Sequence, residues 1–125
     1  MRVQRSSHSR MLANSLYMSC SQGCSLNDMF HTPDKGYMVG GFSKGGKALI
    51  FPSIAEVNLS SVETWIEEHK LRKDQYYGVW TEKGKVYFDI LVNLQDLNQS
   101  IKICKVKNQK AIYDLNKNED ISLEK

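Results

Sequence analysis

The sequence predicts an α+β domain with two helices packed on one face of a mainly antiparallel β-sheet. Three observations support this class: a long apolar hairpin at 75–92, a shorter pair of strand-like segments before it, and an amphipathic helical pattern after each pair. With a closing strand near the carboxyl end, the expected order of elements is β-β-α-β-β-α-β. A chain of 125 residues can bury one core of this kind but not two.

Composition divides the chain into three parts. Residues 1–33 lack a sustained period of 2 or 3.6, so we expect a loosely ordered N-terminal arm with one short helix near 10–18. Residues 34–116 hold the single α+β domain. Residues 117–125 form a polar tail that we expect to fray.

The amino-terminal segment and the cysteine count point to the cytoplasm. The apolar run in this segment is interrupted by Asn14 and Ser15 and is too short for an export signal. No apolar run approaches the roughly 18 residues that a membrane-spanning helix needs. Three cysteines, an odd number, fit a reducing compartment better than a disulfide framework. We therefore expect a cytoplasmic protein with no membrane partner.

Two short strands are expected at 36–42 and 47–51, joined into a hairpin by the turn 43–46. The paired glycines suit the turn, and Pro52 ends the second strand because it cannot donate a ladder hydrogen bond. The same segment nearly matches a phosphate-binding loop. Ala48 has no hydroxyl group for a metal ion, and a strand follows where that loop needs a helix, so we reject a nucleotide hydrolase.

A short amphipathic helix is expected at 59–69. Ser60 and Glu63 have the spacing of a capping box, in which each side chain bonds to a backbone amide at the start of the helix. The apolar face then has residues at i, i+3, i+4 and i+7, which are Val62, Trp65, Ile66 and His69.

The central hairpin turns at 81–84, where Gly84 can adopt the left-handed conformation of a short loop. Alternation along its second strand predicts a core face of four residues: Val86, Phe88, Ile90 and Val92. Asn93 then caps a second helix, whose apolar face comprises Leu94, Leu97, Ile101 and Cys104. A last strand is expected at 110–115.

Aromatic and basic residues alternate closely within the central hairpin. They form a candidate binding surface that could stack on single-stranded nucleic acid or contact a protein: Tyr76, Tyr77, Trp80, Lys83, Lys85 and Tyr87. The alternative is that these aromatic rings serve as core residues and cross-strand pairs.

Acid–base chemistry has a limited set of candidates. A metal-free ribonuclease needs a base, an acid and a cation near the phosphate. The residues of suitable kind are His31, His69, Lys44, Lys47 and Arg72. Their spacing does not show that they converge. His69 is more simply a partly buried structural histidine, and His31 a loop residue.

A metal site would need the cysteines near the amino terminus. Cys20, Cys24 and His31, with His8 as a fourth ligand, are the candidates. Their C-x3-C spacing departs from the usual C-x2-C, and no second pair follows. We therefore expect no metal and no cofactor.

Three motifs, GYMVGGF, YYGVWTEKGKVYFDI and NQKAIYDL, resemble a group of short proteins carried by bacteriophages and other bacterial mobile elements. The shared frame covers residues 36–121 and leaves the arm outside. The motifs are structural in kind, so the resemblance implies no catalytic residues. It implies a small α+β accessory protein that acts inside a bacterial host cell.

The leading hypothesis is thus a non-enzymatic phage or mobile-element protein that binds a host protein or nucleic acid as an anti-defence or host-modulating factor. The alternative is a small metal-independent ribonuclease toxin of the barnase, colicin or RelE kind, by analogy of element order alone. A structural or assembly protein of a virion is a third hypothesis. The sequence does not predict the oligomeric state.

Overall fold

Three helices and seven strands make up residues 7–123, the part of the chain that the computed structural model describes. The helices are α1 (Ser7–Met18), α2 (Leu59–Glu68) and α3 (Leu97–Val106). The strands are β1 (Cys24–Leu26), β2 (Tyr37–Val39), β3 (Leu49–Phe51), β4 (Gln75–Glu82), β5 (Lys85–Leu94), β6 (Ala111–Asp114) and β7 (Glu119–Ser122). None of these helices is long and apolar enough to cross a membrane.

The predicted α+β class is confirmed. From β2 to β6 the elements follow the predicted order of two strands, a helix, two strands, a helix and a strand. The short helix expected near 10–18 is observed as α1, which begins three residues earlier, and the structure adds β1 before this series and β7 after it.

All seven strands form one antiparallel sheet built around β5. The strand order is β1-β4-β5-β2-β6-β7, and β3 pairs with β5 as well. One side of the ten-residue β5 pairs with β4, and its other side pairs with β3 over residues 86–88 and with β2 over residues 92–94. The expected hairpin between strands 36–42 and 47–51 is therefore wrong. Both short strands pair with β5 because its long edge has room for each of them.

The central hairpin has the predicted position and a tighter turn. Lys83 and Gly84 form the two-residue connection, with φ angles of 52° and 83°, and Glu82 pairs directly with Lys85. Both angles are positive, as two-residue turns that match the twist of a hairpin require. The predicted core face is observed, since Val86 and Phe88 are fully buried.

The core consists of two clusters on the same face of the sheet. In the larger cluster, α1 and α2 pack on β4 and β5, and Phe88 lies at an edge-to-face angle to Phe51 and Trp65. In the smaller cluster, Cys104 of α3 packs on Val39 and Ile112. All three helices therefore lie on one face, which confirms the predicted placement of two of them.

The amino-terminal segment corrects the expected loosely ordered arm. Residues 7–18 form α1, in which Leu12, Ala13 and Leu16 are fully buried against the rest of the core. Ser9 Oγ donates a hydrogen bond of 2.7 Å to Glu67 of α2. The apolar stripe of α1 is only two turns long, too short to stand out as a periodic pattern. Residues 1–6 lie outside the described part of the chain.

The polar tail also differs from expectation. Residues 119–122 form β7, which pairs with β6 over its whole length. Ile121 and Leu123 pack against the smaller core cluster. The two apolar side chains alternate with polar ones, a period of 2 that four residues display only weakly. Residues 124 and 125 lie outside the described residues.

Both predicted capping residues differ from the observed ones by two or three positions. Asn58, rather than Ser60, caps α2, because its side chain accepts the Ser61 amide at 3.1 Å. Asp96, rather than Asn93, caps α3 by accepting the Asn98 amide at 3.1 Å. In both regions several residues are suited to capping, and tertiary packing decides which one is used.

Asp89 fixes the segment that separates β2 from β3. Its carboxylate is 3% exposed and accepts hydrogen bonds of 2.7 Å from the Gly41 amide and 2.7 Å from Ser43 Oγ. The Ile90 amide donates a third bond of 2.8 Å. A Cβ atom at Gly40 would approach Asp89 Oδ2 to 2.8 Å. The adjacent glycines therefore allow the backbone to approach this carboxylate closely.

Candidate functional site

Within residues 7–123 no helix covers one face of the sheet, because α1, α2 and α3 all pack on the other. We call the side without helices the open face. Strand alternation and register place a set of aromatic and aliphatic side chains on this open face: Ile50, Tyr76, Trp80, Tyr87, Leu91 and Tyr113. We call these six residues the open-face cluster. Large apolar side chains gathered on one uncovered surface are typical of a contact site.

A row of three side chains crosses the open face. Ile50 pairs with Tyr87, and Tyr87 pairs with Trp80. The Tyr87 and Trp80 rings are stacked, with centroids 5.4 Å apart and planes 5° from parallel, and Ile50 is 50% exposed. Each ring covers one face of the other, so their outer faces and edges are left for a partner.

Leu91 fills the centre of the open face. Its side chain lies over Gly78, where a Cβ atom would overlap Leu91 Cδ1. Tyr76 pairs with Leu91 on the neighbouring strand. Burial, followed by the charges of Asp74 and Asp34, raises the pKa of Tyr76. Its hydroxyl group therefore remains a neutral hydrogen-bond donor beside the apolar centre.

Apart from Asp89, which is buried beneath the segment after β2, the charged residues that register places on the open face lie at its margins and are of both signs. Glu82 and Lys85 form the last pair of the hairpin, beside the exposed Lys83 of the turn. Asp120 of β7 pairs with Tyr113 at the opposite margin. A surface that follows a nucleic-acid backbone needs an excess of positive charge along its path. The open face lacks such an excess among the residues described.

Four of the predicted binding residues, Tyr76, Trp80, Lys85 and Tyr87, share the open face. Tyr77 does not, and its assignment to a binding surface is corrected. It is 2% exposed on the core face, where its hydroxyl group donates to the His69 carbonyl at 2.7 Å and contacts the Ile66 carbonyl at 3.3 Å.

Three members of the open-face cluster, Ile50, Leu91 and Tyr113, are not among the predicted binding residues. The position of Leu91 could be inferred from the sequence, because Leu91 and Tyr87 are four residues apart in one strand and therefore lie on the same face. Ile50 and Tyr113 join the cluster through pairings between segments distant in the chain. No local pattern reveals those pairings.

His69 occupies a structural position at the end of α2. Its Nδ1 atom lies 2.7 Å from the Trp65 carbonyl, and its Nε2 atom accepts the Lys44 amide at 2.9 Å. These bonds fix the neutral tautomer with the proton on Nδ1. In this arrangement no ring nitrogen is left to take a proton from a substrate.

The other predicted catalytic residues do not converge on one point. Lys44 and His69 line a common cavity of about 290 Å³, whereas His31, Lys47 and Arg72 do not line it. His31 is exposed in the turn after β1, where its backbone amide donates to Asn27 Oδ1 at 3.0 Å. The structure thus brings together two of the five candidates.

The cysteines lie in packed surroundings. Cys20 and Cys104 are buried, and Cys24 is partly buried. Burial is the main cause that raises the pKa of the Cys24 and Cys104 thiols, which keeps them protonated and unreactive at neutral pH. Among residues 7–123, no three histidine, cysteine or acidic side chains are grouped as metal ligands.

The open face thus combines stacked rings and aliphatic side chains with a margin of mixed charge. Its polar groups are few, and its apolar area is the feature that a partner would recognise. Any assignment of function depends on this geometry and on the motifs, since comparisons with protein families, with curated proteins and with solved structures find no match to this chain.

Proposed function

We propose that the protein is a non-enzymatic accessory protein of a bacteriophage or other bacterial mobile element, and that it binds a host protein through the open face of its sheet. Its role would be that of an anti-defence or host-modulating factor in the cytoplasm of the bacterial host. One observation supports the binding mode above all others: three helices cover one face of the sheet, and an aromatic and aliphatic cluster occupies the other.

The composition of the open face favours a protein partner over a nucleic acid. Protein interfaces are rich in tyrosine and tryptophan at the centre and have charged residues at the rim. The central residues here are Trp80, Tyr87 and Leu91, whereas Glu82 and Lys85 lie at the end of the hairpin. A nucleic-acid surface would need exposed basic residues among the aromatic rings rather than beside an acid.

The assignment to a mobile element rests on the motifs in residues 36–121. Three of them supply β2, the β4–β5 hairpin and β6, which are neighbours in the sheet. The resemblance therefore covers the sheet that presents the open face. It supports a binding role because these motifs contain structural residues rather than a catalytic set.

Affinity capture from a bacterial lysate tests this proposal. We expect the tagged protein to retain a stoichiometric protein partner after nuclease treatment. The double variant I50E/Y87S should reduce the recovered partner at least about tenfold, since it places a charge and removes an aromatic ring at the centre of the row. The circular dichroism spectrum should be unchanged, because both side chains are at least partly exposed.

A matched control makes the same chemical changes on the helix side. Met18 and Val106 are each 83% exposed on α1 and α3, so M18S/V106E adds one charge and removes one large side chain away from the open face. This variant should retain the partner. Recovery of nuclease-sensitive RNA alone, or equal loss of the partner in both variants, would contradict the proposal.

A further inference from the structure

A cavity on the helix side of the sheet has no role in the proposed function. Its volume is about 290 Å³, and it opens between the carboxyl end of α2, the segment after β2 and the first residue of β4. Its wall includes Ile90, which belongs to the core face. We propose that this cavity binds a small ligand in which a phosphate group is joined to a flat ring, of the class of the nucleoside monophosphates.

The floor of the cavity is apolar and rigid. It is formed by Phe42, Leu71 and Ile90. Phe42 packs against both core clusters, and its amide donates to the Ile90 carbonyl at 3.1 Å. A floor anchored in this way needs little reorganisation to receive a flat ring, which favours binding.

The rim of the cavity is positively charged. Lys44 and Lys70 lie on it with a single carboxylate, that of Glu68. Within the described residues, neither lysine ammonium group has a carboxylate partner. A third cation is nearby, since Lys107 Nζ lies 4.5 Å from the centroid of the Phe42 ring. Lysine binds phosphate groups as a point charge, so this rim suits a phosphate more than a neutral ligand.

The carboxyl end of α2 does not cancel this positive charge. The carbonyl groups at the end of a helix have a partial negative charge that would oppose an anion. Here the Trp65 carbonyl bonds to His69 Nδ1, and the Ile66 carbonyl accepts the His69 amide at 3.1 Å. These bonds satisfy two carbonyl groups in the last turn of α2 and so reduce their opposition to an anion.

The remaining polar groups narrow the kind of ligand. Both ring nitrogens of His69 are engaged, and the side-chain carbonyl of Gln75 accepts the Arg72 amide at 2.8 Å. The Gln75 amide NH₂ group takes no part in this bond, so Gln75 favours a ligand that has a hydrogen-bond acceptor. The volume is about ten times the roughly 30 Å³ that a water molecule occupies in the liquid, which is enough for one nucleotide and too little for a chain of nucleotides.

A heteronuclear NMR titration of the full chain tests this inference with adenosine monophosphate as the probe. We expect saturable shifts of the backbone amides at 42–44 and 69–71. Adenosine should bind more weakly because it lacks the phosphate group, and inorganic phosphate should bind more weakly because it lacks the flat ring. The variant K44Q/K70Q should weaken the binding of adenosine monophosphate at least about tenfold, as expected for the loss of two exposed charge contacts.

The control variant K102Q/K117Q removes the same charge from two exposed lysines that do not line the cavity. It should bind adenosine monophosphate as the unchanged protein does. The dispersion of the amide signals reports whether each variant is folded. If K44Q/K70Q is not folded, the single variant K70Q is used in its place. Non-saturable shifts, equal affinity for adenosine, or equal weakening in the control would overturn the inference.

Discussion

Tyr77 joins the end of α2 to the centre of the sheet through one hydroxyl group. This group donates to the His69 carbonyl at 2.7 Å, and the Tyr77 ring contacts Trp65 at a centroid distance of 5.7 Å. Burial, followed by the charge of Asp28, raises the pKa of Tyr77 well above its usual value. The folded protein therefore holds the neutral phenol more strongly than the unfolded chain does.

The substitution Tyr77→Phe should lower the free energy of unfolding by about 1 kcal/mol at neutral pH, the usual net contribution of a hydrogen bond. The contribution of the neutral phenol is complete below the unfolded pKa of about 10 and is lost as the pH rises beyond it. Urea denaturation across the alkaline range should thus show a steeper loss for the unchanged protein than for Y77F.

Tyr113→Phe is the matched control, because Tyr113 is 38% exposed on the open face. We expect a change within about 0.5 kcal/mol at neutral pH. Parallel alkaline slopes for the unchanged protein and Y77F would show that the Tyr77 phenol does not contribute to the pH dependence.

At the residue scale, alternation alone suffices to place Tyr77 once the turn is known. With Lys83 and Gly84 as the two turn residues, Tyr77 lies opposite Ile90 on the core face. A four-residue turn at 81–84 would instead place Tyr77 opposite Phe88, which also lies on the core face, so alternation excludes Tyr77 from the open face in either register. The hydrogen bonds of Asp89 could not be predicted in this way, because they depend on the segment around Gly41 lying beside β5. Sequence patterns do not determine such a long-range contact.

At the scale of elements, α2 offers a direct test of which residue caps it. The Asn58 side chain accepts the Ser61 amide at 3.1 Å, whereas the Ser60 backbone carbonyl accepts Thr64 Oγ1 at 3.1 Å. The substitution Asn58→Ala should lower the free energy of unfolding by about 1 kcal/mol, the typical value of a side-chain cap. Urea denaturation measures this change.

Ser60→Ala is the control for the cap. Ser60 is exposed and lies inside the first turn, so its replacement should change the free energy of unfolding by no more than about 0.5 kcal/mol. If S60A lowered the free energy of unfolding more than N58A, Ser60 would be the capping residue, as the capping-box pattern predicts.

The strands show what sequence can predict at this scale. β2, β3 and the central hairpin are recognisable from their composition, although β2 and β3 are shorter than the predicted segments and the hairpin turn is tighter. The partner of β3 is not recognisable. Its turn glycines suggest a hairpin with β2, yet residues 40–48 connect two strands that lie along the same edge of β5. Pairing depends on the whole sheet.

At the scale of the molecule, α1 is part of the core. Leu16 is fully buried among residues of α2 and the sheet. The substitution Leu16→Ala should lower the free energy of unfolding by about 3 kcal/mol, as buried leucine-to-alanine changes do. Urea denaturation checks this value, and a loosely ordered arm would instead give almost no change.

Met18→Ala provides the comparison within the same helix. Met18 is 83% exposed, so we expect a change within about 0.5 kcal/mol. Similar losses for L16A and M18A would mean that α1 contributes through helix formation alone rather than through burial.

The class of the fold was accessible from sequence because the helices and the hairpin have strong local patterns. The size of the core could not be predicted from the sequence. The apolar patterns of α1 and β7 are only a few residues long, and their role in the core is evident only once the whole sheet is assembled. The open face could be predicted only in part from the sequence. Its aromatic residues could be identified, but the absence of helices above it depends on the complete arrangement.

The position of β5 at the middle of the sheet affects how the chain reaches its native state during synthesis. β1 pairs with β4, and both β2 and β3 pair with β5. These early strands therefore leave the ribosome before any strand that can complete them. The hairpin of β4 and β5 is local and can form quickly, while the other pairings must close long loops. Folding should thus wait until about residue 94 has emerged, and until then β1, β2 and β3 have no partner strand to pair with.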